Sequence, residues 1–141
     1  GGVPEFRGVR LCQDAAACTM FPDVHKVEVC ATSNNLLVER PGQIGGGGNS
    51  GFQALNIAAQ FGAARIVLVG FDMRLDRGPH WHGRHPAGLN NPSEANMVRW
   101  RRALNGAADT LRRLGITVVN ASPVSTLTAY PIVPIEEALH A

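Results

Sequence analysis

The chain is poor in several things that would narrow its chemistry. Among 141 residues there are 3 cysteines and 1 tyrosine, and no apolar run approaches the roughly 18 residues that cross a bilayer. No membrane-spanning helix is therefore expected. The cysteine number is odd, and the spacing of Cys12, Cys18 and Cys30 matches no zinc pattern. These thiols read as free, apolar-packed groups in a reducing, cytoplasmic setting. The first residues, Gly1-Gly2-Val3-Pro4, offer no basic stretch, apolar core or cleavage site, so no secretory signal is expected. They also lack an initiating Met, which reads as a fragment or a trimmed chain. Net charge is only +2. A nucleic-acid surface needs a clustered basic face, so nucleic acid is not an expected partner.

What is present suits one α/β domain. A chain near this length buries about 68–70% of its unfolded surface, enough for a core without disulfide or metal. Strand-length apolar runs alternate with helical patterns. Val9 to Cys12 and Val27 to Ala31 read as strands, with a short helix at Ala15 to Met20 between them. Thr32 to Ile44 is broken by Asn34-Asn35 and Pro41-Gly42 and reads as loop. Ser50 to Phe61 is a helix with Ala54, Leu55, Ile57, Ala58 and Phe61 on its apolar face, stopped by Gly62. Ile66 to Val69 is a continuous β-branched and leucine run, which predicts a strand buried on both faces.

The long polar segment Arg74 to Pro92 exceeds the ~12–15 residues of an ordinary connection, which marks it as functional or mobile. Ser93 then caps a helix with Met97, Trp100, Leu104, Ala107, Ala108, Leu111 and Leu114 on one stripe, ended by Gly115. Its arginines, Arg99, Arg101, Arg102, Arg112 and Arg113, read as a solvated face. Ile116 to Val119 is a fourth strand, and Pro134 to Leu139 a final short helix. Strands alternating with helices predict a mostly parallel sheet covered on both sides, a three-layer αβα arrangement. Four strands are few for it, which fits a missing N-terminal strand.

Three segments carry candidate chemistry. Gly45-Gly46-Gly47-Gly48-Asn49-Ser50-Gly51 leads into a helix. Its side-chain-free backbone admits a ligand, and the helix start offers amide N–H groups and positive potential to an anion. Asn49 and Ser50 add donors, or Ser50 caps the helix. Gly46-x-Gly48-x-x-Gly51, with Asp72 about 20 residues on, matches the dinucleotide fingerprint, although Pro41-Gly42-Gln43 stands where a strand should lead in. The bland alternative is a turn before an ordinary helix. Asp72 closes the strand ending Gly70-Phe71-Asp72, at the edge where ligands of open α/β sheets bind, and is either a ligand contact or a cap.

The third segment holds His80, Trp81, His82, Arg84, His85 and Pro86. One histidine is a candidate general base, with neighbouring arginines set to neutralise phosphate. Alternatively, His80, His82 and His85 form a metal cluster like the His-x-His-x-Asp-His run of metallo-β-lactamase-like hydrolases. Arg84, however, occupies the place of the metal-binding aspartate. A surface loop that merely contains histidines, with Trp81 and Pro86 as anchors, is the remaining alternative.

Four segments in order resemble a known group: Gly48-Asn49-Ser50-Gly51, the strand Arg65 to Asp72, His80 to Pro86, and Val119-Asn120-Ala121-Ser122-Pro123-Val124-Ser125. Together they resemble the sialyltransferase-like bacterial and phage proteins with a Rossmann-like fold, similar to glycosyltransferase family 42, over about Gly45 to Leu139. The resemblance implies a CMP-sugar donor, an acceptor it does not specify, inverting transfer, and no metal or other cofactor. It implies a histidine base at His85, with His80 the second choice. It implies nucleotide contacts from Gly47, Gly48, Asn49, Ser50, Gly51, Asp72, Pro123 and Ser125. Arg74 stands about where the family holds donor phosphate with tyrosine, and the family's opening strand and Gly-x-Gly-Pro-Ser loop are absent. A non-catalytic nucleotide-binding or phage-associated module and a metal-dependent hydrolase remain alternatives, and homo-oligomerisation stays open.

Overall fold

The strongest helical pattern in the sequence forms the longest helix. The computed structural model describes residues 5–76, 78, 83–86, 88 and 90–140. In chain order the elements are β1 (Arg10–Cys12), α1 (Ala15–Met20), β2 (Val24–Lys26), β3 (Glu28–Cys30), β4 (Gln43–Gly45), α2 (Ser50–Gln60), β5 (Arg65–Leu68), α3 (Glu94–Arg113), β6 (Thr117–Asn120) and α4 (Ile135–His140). The α/β class is as expected, but the strands are more numerous and shorter.

Helix α3 begins at a reciprocal capping box. The Ser93 hydroxyl accepts the Asn96 N–H at 3.2 Å, and Asn96 Oδ1 accepts the Ser93 N–H at 2.8 Å. Glu94 in the first turn and Arg112 and Arg113 in the last complement the helix dipole. Met97, Ala103, Leu104, Ala107, Ala108 and Leu111 are buried. Burying each leucine or methionine contributes about 1.5–3 kcal/mol. Leu114, the C-cap residue, turns outward and is 47% exposed.

Helix α2 buries a stripe rotated from the expected one: Phe52, Leu55, Asn56 and Ala59, while Phe61 is 65% exposed. Spacings of 3, 4 and 7 from Phe52 define this stripe, and it carries a polar residue, Asn56, that an apolar count overlooks. Asn56 is fully buried because it holds two backbone groups. Its Oδ1 accepts the Leu37 N–H and the Gly45 N–H, each at 2.9 Å. Gln60 Nε2 donates to the carbonyls of Leu37, Arg40 and Gln43, fastening the loop before β4 onto α2.

The strands form three two-stranded parallel sheets, β1 with β2, β3 with β4, and β5 with β6. A single continuous sheet is not seen among the described residues, so the three-layer expectation holds only as mixed α/β with parallel pairing. Strands β2 and β3 belong to one extended segment. It pairs first with β1 and then with β4, changing partner at Val27, whose N–H donates to Cys12 O at 2.8 Å. At β6 a parallel bridge from Asn120 to Ile132 extends the β5–β6 pair by one further segment.

The β5–β6 sheet also corrects an expectation. Leu68 and Val118 are buried in the main core with Phe52, Leu55, Leu104 and Leu111. The opposite face, with Arg65, Thr117, Val119 and Val133, lines an open groove, and Val69 is 61% exposed. The run therefore packs its Leu68 face into the main core, while its other face opens to a groove that Glu137 of α4 also borders.

Candidate functional site

Strand β4 resolves a conflict in the sequence. Its three residues end at Gly45, so a strand leads directly into the glycine loop and α2, where the sequence pattern suggested a loop. Asn49, not Ser50, is the N-cap: its Oδ1 accepts the Phe52 N–H at 2.9 Å.

The glycines divide into two groups. Gly45, Gly46 and Gly47 are packed against protein. Their N–H groups donate to Asn56 Oδ1, Cys30 O and Ser33 O respectively. A Cβ at Gly45 would lie 2.1 Å from Asn35 O, and one at Gly47 would lie 2.2 Å from the Phe52 ring. These positions are glycine because neighbouring groups leave no room. Gly48 to Gly51 differ. Their N–H groups take no partner among the described residues, as expected of a helix start.

Around this open turn stand further donors. A Cβ on Gly48 would lie 2.8 Å from Trp100 Nε1 and 3.2 Å from Arg99 Nε, so both α3 side chains close over the loop. Trp100 Nε1 and Asn49 Nδ2 are buried atoms without a hydrogen-bond partner. The Phe71 ring packs against Gly51, 2.8 Å from where a Cβ would be. The turn thus gathers backbone N–H groups, an indole N–H, an amide NH2 and a guanidinium. All are donors, which suits an anion. The sequence pattern places Trp100 on the apolar stripe and Arg99 on the solvated face. The signal that could have found Trp100 is its N–H, which wants a partner wherever the ring is covered.

The neighbouring strand end is laced to the segment after β6. Ser122 Oγ accepts the Phe71 N–H at 2.8 Å, and Ser125 Oγ donates to Phe71 O at 2.5 Å. Thr126 donates from its N–H to Asp72 O at 3.0 Å and from its hydroxyl to Met73 O at 2.8 Å. Met73, at φ +54°, is the one non-glycine residue with positive φ among those described, and Arg101 Nη1 also donates to its carbonyl at 3.1 Å. Such a backbone persists only when its surroundings over-determine it, as these bonds do. The carboxyl-bearing Asp72 is half-buried at this edge, and Pro123 is exposed.

Arg74 is engaged within its own loop. Its guanidinium grips Asp76 through Nε and Nη2, while Nη1 donates to Val124 O at 3.2 Å. The Asp76 contact raises its already high pKa, so it stays cationic. His85 is half-buried, and its backbone forms a reciprocal clasp with the Asn91 side chain, accepted by Oδ1 at 2.9 Å and donated by Nδ2 at 3.4 Å. His80, Trp81 and His82 lie outside the described residues. Among the described residues no three histidine, cysteine or acidic side chains form a metal-binding group. No helix among them is long and apolar enough to cross a membrane.

No protein-family model, curated protein or solved structure matches the chain.

Proposed function

We propose that this chain binds the phosphate of a nucleotide at Gly48–Gly51, as a Rossmann-like, glycosyltransferase-like domain whose donor is a CMP-sugar. The reading rests on one observation above others. The open N–H groups at the start of α2 share a corner with the Trp100 indole N–H and the Asn49 Nδ2, both without a partner, and with Arg99, whose Nη2 makes only long bonds to Ala31 O and Asn34 Oδ1, at 3.4 and 3.5 Å. Phosphate offers acceptors only, and a helix start supplies the matching potential. The strand–glycine loop–helix order, with Asp72 four residues past the end of β5, supports a nucleotide over a bare anion.

In this reading His85 takes the proton of the acceptor hydroxyl as that oxygen attacks the sugar, and CMP departs held at the glycine turn. Arg74 would join the phosphate on leaving Asp76, and Pro123 and Ser125 would border the base. Saturation-transfer NMR against CMP, UDP and NAD tests binding, with CMP expected to show the largest effect. Transfer from a CMP-sugar, lost in His85→Ala with CMP binding retained, tests the chemistry. Absence of binding by all three nucleotides would overturn the reading.

A second reading, a nucleotide-binding module without catalysis, is favoured by the engagement of Arg74 with Asp76 and of Ser125 with Phe71. Both groups then serve the fold. CMP binding without turnover of any CMP-sugar is its expected result.

A further inference from the structure

Two of the three cysteines approach each other at the end of β1. Cys12 ends β1 and Cys18 lies in α1, on the two sides of a turn capped by Asp14. Asp14 Oδ1 accepts the N–H groups of Ala16 and Ala17 at 2.7 and 3.1 Å, which folds α1 back over the end of β1. The Cys18 thiol donates to Cys12 O at 3.8 Å, and the Asp14 N–H donates to Cys12 Sγ at 3.4 Å. Both cysteines are half-buried, while Cys30 stands apart, exposed, with its thiol 3.7 Å from the Thr32 hydroxyl.

Access is provided as well. A cavity of about 380 Å³ opens beside Cys12, bordered by Leu11, Gln13, Asp14, Val27, Ile44 and Ile57. The cavity wall also connects to the glycine loop: Gln13 Nε2 donates to Gln53 Oε1 at 2.7 Å, and Gln53 Nε2 donates to Gly46 O at 3.4 Å.

We infer that Cys12 and Cys18 are a reversible dithiol–disulfide pair that locks α1 to β1 when oxidised. The oxidant is a small-molecule disulfide of the glutathione type. The Cys12 thiolate attacks one of its sulfurs, a protein–glutathione disulfide forms and one glutathione thiolate leaves. The Cys18 thiol loses its proton and attacks the Cys12 sulfur, expelling the second glutathione. Two protein thiols are oxidised and one small disulfide is reduced to two thiols. Burial, followed by the influence of Cys12, raises the Cys18 thiol above its ordinary range, which makes it the second to react. Closing so short a loop removes less chain entropy than closing a long one, and the bond ties together only β1 and α1.

The test uses the whole chain with its three cysteines. It is equilibrated in buffers of stepped reduced-to-oxidised glutathione ratio and its free thiols are counted. The expected count falls from three to one, with Cys30 still alkylated, and dithiothreitol restores it. Cleavage before Asp14 separates the two cysteines, so the oxidised form yields a linked peptide pair lighter by about 2 Da than the sum of the reduced ones. In a Cys30→Ser chain the count falls from two to none. Stable glutathione adducts on Cys12 or Cys18, pairing with Cys30, or three thiols persisting in oxidising buffer would each overturn the inference.

Discussion

The indole N–H of Trp100 on α3 lies against Gly48 of the glycine turn, 2.8 Å from where a Cβ would stand, and finds no acceptor there. Two substitutions separate what this contact does for the fold from what it does for a ligand. Trp100→Phe removes an unpartnered donor, so the ligand-free protein should be unchanged or up to about 1 kcal/mol more stable. Phosphate or CMP binding should weaken several-fold. Urea unfolding and calorimetric titration check the two opposite signs, and equal loss of both would show Trp100 to be packing only.

Gly48→Ala should harm both. Gly48 sits at φ +84°, which costs an alanine about 1–2 kcal/mol, and the methyl would meet the indole. Gly42→Ala provides the comparison: φ is +82° but nothing lies within 4 Å. Thermal unfolding should place Gly48→Ala below Gly42→Ala, with anion binding lost only in the former.

Asn56→Ala should be among the most damaging single changes. It leaves the buried N–H groups of Leu37 and Gly45 without their shared acceptor, and each such loss costs about 1–3 kcal/mol. A denaturant midpoint within error of the parent would contradict the role assigned to this residue.

Asp76→Asn removes the carboxylate charge that grips Arg74. The pair is partly exposed, at 33% and 54%, so stability should change by less than about 1 kcal/mol. If Arg74 belongs to the phosphate site, CMP affinity should rise. An unchanged affinity in both Asp76→Asn and Arg74→Ala would remove Arg74 from it.

Tyr130 sets an alkaline limit. Its hydroxyl donates to Leu104 O at 2.5 Å in the core, and burial pushes its pKa well above the ordinary value. The folded chain therefore holds this proton more tightly than the unfolded one. The resulting stability is complete below about pH 10, where the unfolded tyrosine titrates, and is lost as pH rises from there toward the folded value. As the chain's 1 tyrosine, its phenolate absorbance reports the titration directly. Tyr130→Phe should remove its contribution to the fall of the melting temperature above pH 10.

The sequence was most legible where one signal sufficed. Ser93, the apolar stripe from Met97 and the stop at Gly115 define α3 to within a residue, because capping and periodicity are local. Strand β4 was hidden, since Gln43-Ile44-Gly45 is too short for a periodicity and follows Pro41-Gly42. It exists because the segment from Glu28 supplies a pairing edge, which no local pattern encodes. The same holds for Arg99 and Trp100, brought to Gly48 by packing across 51 or more positions of chain. The Ser125 hydroxyl reads as a nucleotide contact, and those of Ser122 and Thr126 in the same segment carry no assignment. Their actual partners, the backbone groups of Phe71, Asp72 and Met73, lie in another.

The change of partner at Val27 has a consequence for how the protein opens. Upstream of it, β1 and α1 touch the rest through a three-residue ladder, a cavity wall and the Gln13–Gln53 bond, and α1 buries none of its residues. Downstream, the segment is held by β4 and, through it, by Asn56. Amide hydrogens of β1 should therefore exchange by a low-energy excursion that leaves those of Asn56's neighbours protected. The two halves of one extended segment would then report two different free energies of opening.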